Sequence, residues 1–388
     1  MENLHTPMDG LTVIDFSTMV AGPWATRLMA DCGAEVLKIE TAGEGDVLRF
    51  TPPMAGGMSR VFAQFNCGKK SVVLDLKSGE GLENARRLID GADVLVENFR
   101  PGVMERLGLG YTQAAARNPR LVYCSVSGFG QDGPLAGSAA YAPVVHAMTG
   151  FDAAMMAAQG AAEGDPPPVA GVMIADVVAA AYAFGAVQAA LLRRERFGQG
   201  AYVDVSLIES MMTLVGIQYQ EAQSEKPLKS TAFRPARTLD GYIIAPLVTP
   251  RNYQALFAVI GRPVWVDDAL LASAGALSRH RRQIEDALGD WAKDRPSAEC
   301  IATLTDAGVP CGAYASPKDV LSHPHLAARG SFVELEDTLG AFQVLNPPFR
   351  MADTPLRARP TVARLGEHTD AVLGALAAGR AQVEAAGG

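Results

Sequence analysis

Cysteine is scarce in this 388-residue chain, at five residues, and no two stand in a C-x-x-C spacing. Cys32, Cys67, Cys124, Cys300 and Cys311 therefore indicate neither a disulfide framework nor a zinc site, and read as reduced thiols of a cytoplasmic protein. A basic excess is absent as well. The 34 Lys and Arg against 42 Asp and Glu leave a formal net charge of −8, which argues against nucleic acid or an anionic membrane as the main partner. Any anionic ligand must then meet a local basic cluster. MENLHTPMDG at the start is too polar to read as a signal peptide. Internal repeats and heptads are lacking too. The nearest approach to a membrane span, Val172 to Leu192, is alanine-rich and carries Asp176, which suits a helix buried in the core or in a subunit interface.

What is present is a rhythm of short apolar runs and helical patterns. LTVIDF (Leu11 to Phe16), a helix from about Pro23 to Cys32 stopped by Gly33, and EVLKIE (Glu35 to Glu40) make a βαβ unit. SVVLDL (Ser71 to Leu76), a helix to about Ile89, DVLVEN (Asp93 to Asn98), a short helix opened by Pro101, and LVYCSV (Leu121 to Val126) continue it. The expected fold is α/β, a Rossmann-like large domain with a mostly parallel sheet plus a smaller α+β domain. The large domain is placed at residues 1–222, completed by 331–388, and the small one at 223–330, entered through a polar crossing with Lys226, Lys229, Arg234 and Arg237. Ala153 to Pro168 reads as a mobile surface loop, and Ser206 with Glu209 as a capping box that makes Glu209 structural.

The stretch Ser125 to Gly150 lies at a strand's carboxyl end, where open α/β sheets bind ligands. GFGQDG (Gly128 to Gly133) matches a dinucleotide fingerprint in letters only, because Pro134, Gly137 and Ser138 make a helix inside the motif unfavourable. A loop bringing the bare amides of Gly128 and Gly130 close to a ligand or an oxyanion is the better reading. Lys38, Arg49, Lys69, Lys70, Arg100 and Arg106 collect just after predicted strands. Together with Asn98 and the amides near Gly68 and Gly102 they could clasp a polyphosphate, although any one of them could equally be a solvated surface charge.

Several motifs in fixed order carry a resemblance. GAEVLKIE with Gly45, Asp46 and Arg49, N-C-G-K-K-S (Asn66 to Ser71), ADVLVENFRPGVMERLGLGY (Ala92 to Tyr111), SGFGQDGP, IAD (Ile174 to Asp176), VDVSLIES, GVP, HPH and LGEHT are together similar to the family III CoA-transferases. That group includes the formyl-CoA and carnitine CoA-transferases and also the α-methylacyl-CoA racemases. The resemblance implies a large domain built from both chain ends and a dimer of two interlinked subunits. It implies acyl-CoA and a carboxylic acid as substrates, coenzyme A as the carrier without a metal, and CoA contacts from Val20 or Ala21, Lys70, Asn98, Phe99, Arg100 and Arg106.

In such transferases, the resemblance further implies, a Tyr-Asp pair follows the glycine loop and its aspartate attacks the acyl thioester. Here Tyr141 is followed by Ala142, which has no nucleophile to offer. Three readings stay open. Asp152 attacks instead; or the chain is the nucleophile-lacking half of a hetero-oligomer with an Asp-bearing homologue; or it runs other acyl-CoA chemistry without a covalent enzyme. A racemase-like acid/base pair would need Asp176 with His146, since the racemase histidine is replaced by Tyr141. His146 equally reads as a hydrogen-bonded core histidine.

Overall fold

Six of the apolar runs form one parallel sheet: β1 (Thr12–Asp15), β2 (Glu35–Glu40), β3 (Lys70–Val73), β4 (Val94–Glu97), β5 (Val122–Ser127) and β6 (Ala201–Ser206). The structure, a computed structural model, describes residues 5–160, 164–225, 233–262 and 274–386. Lys226 and Lys229 of the expected crossing lie outside the described residues. In the sheet the strands stand in the order β3-β2-β1-β4-β5-β6. Chain direction across the sheet thus reverses between β1 and β4, and in doubly wound sheets ligands sit outside the strand ends at that switch.

Helices cover both faces because successive strand residues point to opposite sides. Val13 of β1 joins Val94, Val96, Cys124 and Val126 under α1 (Ala21–Asp31) and the later helix at Ile174–Phe197, whereas Ile14 joins Leu37, Val72 and Leu95 on the other side. Following α2 (Arg60–Asn66), α3 (Gly79–Asp90), the short α4 (Val103–Arg106) and α5 (Tyr111–Arg117), α3 and α5 cover that second side. All six residues of β5 are buried, each large apolar one contributing about 1.5–3 kcal/mol.

Beyond the glycine loop come α6 (Ala142–Met148), α7 (Phe151–Gln159), α8 (Ile174–Phe197) and α9 (Leu207–Met212). The expectation of a loop from Ala153 is corrected by α7: alanine and methionine are good helix formers, and the turn signals that suggested a loop begin only at Gly160. α8 is long and apolar enough to cross a membrane. Its small-residue stripe Ala175, Ala179, Ala183 and Val187 is buried against the sheet cluster, and Val177, Tyr182, Leu192 and Phe197 stay exposed. Ser206 accepts from the Glu209 amide at 3.2 Å and so caps α9, but the Glu209 carboxylate takes the Ser206 hydroxyl and not its amide, so only half of the expected capping box is formed.

The chain divides into two compact units, Met1–Met156 with Ala161–Leu228 and Pro324–Gly388, and Ala157–Gly160 with Lys229–His323. The second holds a three-stranded antiparallel sheet of β7 (Ala236–Arg237), β8 (Tyr242–Ile244) and β9 (Gly312–Ala313). Ile243 there packs with Leu256, Phe257, Ile284 and Leu304 of α10 (Pro250–Val259), α11 (Ala274–Ala292) and α12 (Ser297–Asp306). In the first unit the returning chain adds a hairpin of β10 (Phe332–Asp337) and β11 (Gly340–Leu345), which the sequence reading did not foresee, and then α13 (Thr369–Ala386). Thr369 takes the Val73 amide at 3.0 Å and the His368 amide reaches Ser71 O at 3.0 Å, tying the C-terminal segment to β3.

Candidate active site

A cavity of about 420 Å³ opens at the carboxyl ends of β1, β4 and β5, at the reversal point of the sheet. Its wall after β1 is Thr18, Met19 and Ala21. After β4 it is Asn98 to Pro101, and after β5 it is Val126 to Gly128 with Ala136 and Ser138 to Pro143. The start of α8 supplies Asp176. Only one carboxyl group, Asp176, and one cation, Arg100, line it among the described residues.

Gly128 is where β5 gives way to the loop, and a Cβ there would stand 2.3 Å from the Ala140 Cβ, so the chain returns across a bare backbone. No helix opens between Gly128 and Tyr141. Gln131 donates its amide to Asp204 on β6 at 2.9 Å and so anchors the loop to the sheet edge. Gly130 takes φ +88° beside that anchor and is not in the cavity wall. At the far end Tyr141 is exposed as the N-cap of α6, with Ala142 buried behind it and Pro143 in the first turn.

Asp176 sits in the first turn of α8, a position where the helix dipole favours an anion. Burial outweighs that: it raises the carboxyl from 3.8 to about 6, opposed in part by the bond from its own amide. One residue earlier, the Ala175 amide donates to His146 Nε2 at 3.2 Å. His146 is 1% exposed, and burial pulls its imidazole below its ordinary value against the opposing pull of nearby Asp152. It is outside the cavity wall and satisfies a helix-end amide next to Asp176. Of the two expectations for His146, the geometry found here is that of a buried histidine bonded to a backbone amide. Asp152 likewise is not in the wall; it is half-buried on α7, near enough to His146 to act on it electrostatically.

The expected phosphate clasp is largely spent on ion pairs. Lys38 lies 2.9 Å from Asp46, Lys69 2.9 Å from Asp15, and Arg49 2.6 Å from Glu40, all at buried or nearly buried positions. Lys70, at the amino end of β3, pairs with Glu35 of β2. Lys38, Lys69 and Arg49 each meet a buried carboxylate, as a buried cation demands, whereas the Lys70–Glu35 pair is half exposed. Val20 is also removed from the wall, fully buried against Leu48 and Phe62. Arg100 and Arg106 keep exposed guanidiniums; Arg100 lines the cavity, and Arg106 lies over Gly102 beside it. In the second unit Arg234 pairs with Asp286 at 3.1 Å.

The sequence reading thus reached Ala21, Asn98, Phe99, Arg100, Gly128, Tyr141 and Asp176 of the wall. It missed Thr18 and Met19, whose one signal was their place after the first strand of the sheet. It also missed Glu97, fully inside the fold at the end of β4, where burial lifts its carboxyl to about 7 while it accepts the Phe99 amide at 2.8 Å.

A model of CoA-transferase family III matches residues 8–369. The chain belongs to this family. It is 32% identical to a succinate–glutarate CoA-transferase of Agrobacterium fabrum, over 97% of each chain. It is 30% identical to the beta subunit of a succinyl-CoA–L-malate CoA-transferase of Chloroflexus aurantiacus, over 95% of this chain and 93% of that one. A solved structure of a hypothetical protein from Mycobacterium tuberculosis superposes with a TM-score of 0.84 at 30% identity, covering 96% of this chain and all of that one.

Proposed function

We propose that this chain moves CoA from an acyl-CoA thioester to a carboxylic acid and that Asp176, with no nucleophile at Ala142, is the attacking carboxylate. The observation that carries this is the placement of Asp176 as the cavity's one carboxyl group among the described residues. Its carboxylate attacks the thioester carbonyl, the C–S bond breaks, and CoA thiolate leaves behind a mixed anhydride. Return of the thiolate to the aspartyl carbonyl expels the donor acid and leaves an aspartyl-CoA thioester. The acceptor carboxylate repeats the exchange in reverse, so the new acyl-CoA departs and Asp176 is restored. Burial that lifts the carboxyl to about 6 also makes its anion a poorly solvated, stronger nucleophile, still mostly ionised at pH 7.5.

Arg100 is the cavity's cation for the CoA phosphates or for a substrate carboxylate, and Arg106 stands next to it. We read the chain as a cytoplasmic, interlinked homodimer. Val177, Tyr182, Leu192 and Phe197 of α8 are exposed large apolar side chains, as are Met212, Leu214 and Ile217, and this exposed apolar surface supports a second subunit. The beta-subunit relative favours testing a second arrangement, pairing with a homologous chain.

The experiment incubates the purified chain with succinyl-CoA and acetyl-CoA against a panel of mono- and dicarboxylic acids and reads new CoA esters by mass spectrometry. New esters that vanish in Asp176→Asn and persist in Asp152→Asn support the assignment. Esters that persist in Asp176→Asn overturn it. CoA binding without any ester points to the hetero-oligomer.

A further inference from the structure

The cavity wall after β1 holds a backbone that its sequence would not choose. Met19 has φ +67°, the one non-glycine residue with positive φ among the described residues. Left-handed backbone is costly for a side-chain-bearing residue and persists where the surroundings over-determine it. Here every neighbour is tied. Ser17 donates its amide to Asp15 at 2.9 Å, and its carbonyl accepts from Lys38 Nζ at 2.8 Å. Thr18 is gripped on both sides by the Asn98 amide, N–H to Oδ1 and Nδ2 to the carbonyl, each at 2.8 Å. The Met19 amide itself donates to Asp46 Oδ1 at 3.3 Å. Gly22 closes the turn, since a Cβ there would stand 2.2 Å from the Ser17 Cβ.

Asp46 does this from outside the cavity, 0% exposed, with Lys38 at 2.9 Å and the Leu48 amide at 3.0 Å. Glu40 holds Asp46 in turn by accepting its amide at 3.0 Å, while taking Arg49 at 2.6 Å and Ser71 Oγ at 2.6 Å. The Lys38, Asp46 and Arg49 motif residues thus form a buried charged frame behind the loop and not a phosphate clasp.

We propose that Asp46, backed by Lys38, is a positioning residue for the acyl-CoA site, holding Met19 in its left-handed conformation and thereby setting the wall from Thr18 to Ala21. This rests on the reading of the cavity as that site. The test measures coenzyme A binding to the full chain by titration calorimetry. Asp46→Ala is expected to weaken binding about tenfold and to raise the KM for acyl-CoA with it, while the rate at saturation changes less than about threefold. Asp46→Asn, whose amide oxygen still accepts from Met19, is expected to bind within about threefold of the parent. The deciding variant adds Met19→Gly to Asp46→Ala: glycine takes positive φ without being held, so at least about half of the lost affinity, in logarithmic terms, should return. Unchanged affinity in Asp46→Ala, or a loss that Met19→Gly does not recover, overturns the proposal. If Asp46→Ala does not fold, hydrogen exchange of the Met19 amide in the parent chain decides: strand-like protection supports the proposal and exposed-loop exchange overturns it. A parent chain that does not bind coenzyme A overturns the reading of the cavity and this proposal with it; binding that Asp46→Ala leaves intact overturns this proposal alone.

Discussion

Replacing Asp176 by asparagine should slow the enzyme and stabilise it at once, and the two effects have different pH signatures. The folded chain raises this carboxyl from 3.8 to about 6 by burial, so the fold prefers the protonated form. The resulting penalty is absent below pH 3.8, grows between 3.8 and 6, and is complete above 6. At about 1.36 kcal/mol per pKa unit the ceiling is about 3 kcal/mol, and partial contact with solvent reduces the expectation to about 1–2 kcal/mol. Asparagine keeps the shape and drops the charge. The variant should therefore melt roughly 1–4 °C higher than the parent at pH 7.5 and at the parent's temperature at pH 4, read by thermal scans at both values. CoA transfer from an acyl-CoA to a carboxylic acid should fall at least about a thousandfold, because a carboxamide cannot form the anhydride. Parental kcat/KM should decline as pH drops through about 6, where Asp176 takes up a proton. Undiminished turnover in the variant, or a melting gain that is equal at both pH values, would refute the reasoning.

Three further outcomes are expected. Ala142→Asp places a charge at a buried helix start, so it should leave turnover no higher than the parent's and cost about 1–3 kcal/mol in denaturant unfolding. His146→Phe strands the Ala175 amide and should cost about 1–3 kcal/mol of stability. It should also lower kcat while leaving the shape of the pH–rate profile unchanged; a lost titration limb would restore an acid/base role. Arg100→Ala should raise the KM for acyl-CoA about tenfold with a smaller effect on kcat, and the difference should shrink as salt is raised, as initial-rate kinetics would show.

Much of the fold was legible because local signals and global topology agreed. Continuous apolar runs between turn residues could only be buried parallel strands, and helical patterns between them forced crossovers onto both faces. The hairpin at Phe332–Leu345 does alternate, Leu335, Phe342 and Val344 buried against exposed Glu334, Glu336 and Gln343, but three buried positions make a short signal that escaped notice, and α7 did so because its alanines sit beside glycine and proline. Cavity residues were legible where a motif stood directly at a strand end, as for Asn98 to Arg100.

By itself the sequence determined the family, the strand rhythm and the set of chemical groups on hand, since these depend on residue identity and spacing. Only the tertiary structure decided what those groups do. Lys38, Lys69 and Arg49 carry the same charge as Arg100, but buried carboxylates claim them, Asp15 of β1 for Lys69, and Asp46 and Glu40 at and beyond the end of β2 for Lys38 and Arg49, while Arg100 stays at the cavity. His146 and Asp176 are 30 positions apart and equally titratable, but one is folded inward as a partner for a helix amide and the other is presented to the cavity. Burial and partnership are properties of where chain segments meet in space, and a linear sequence does not state them.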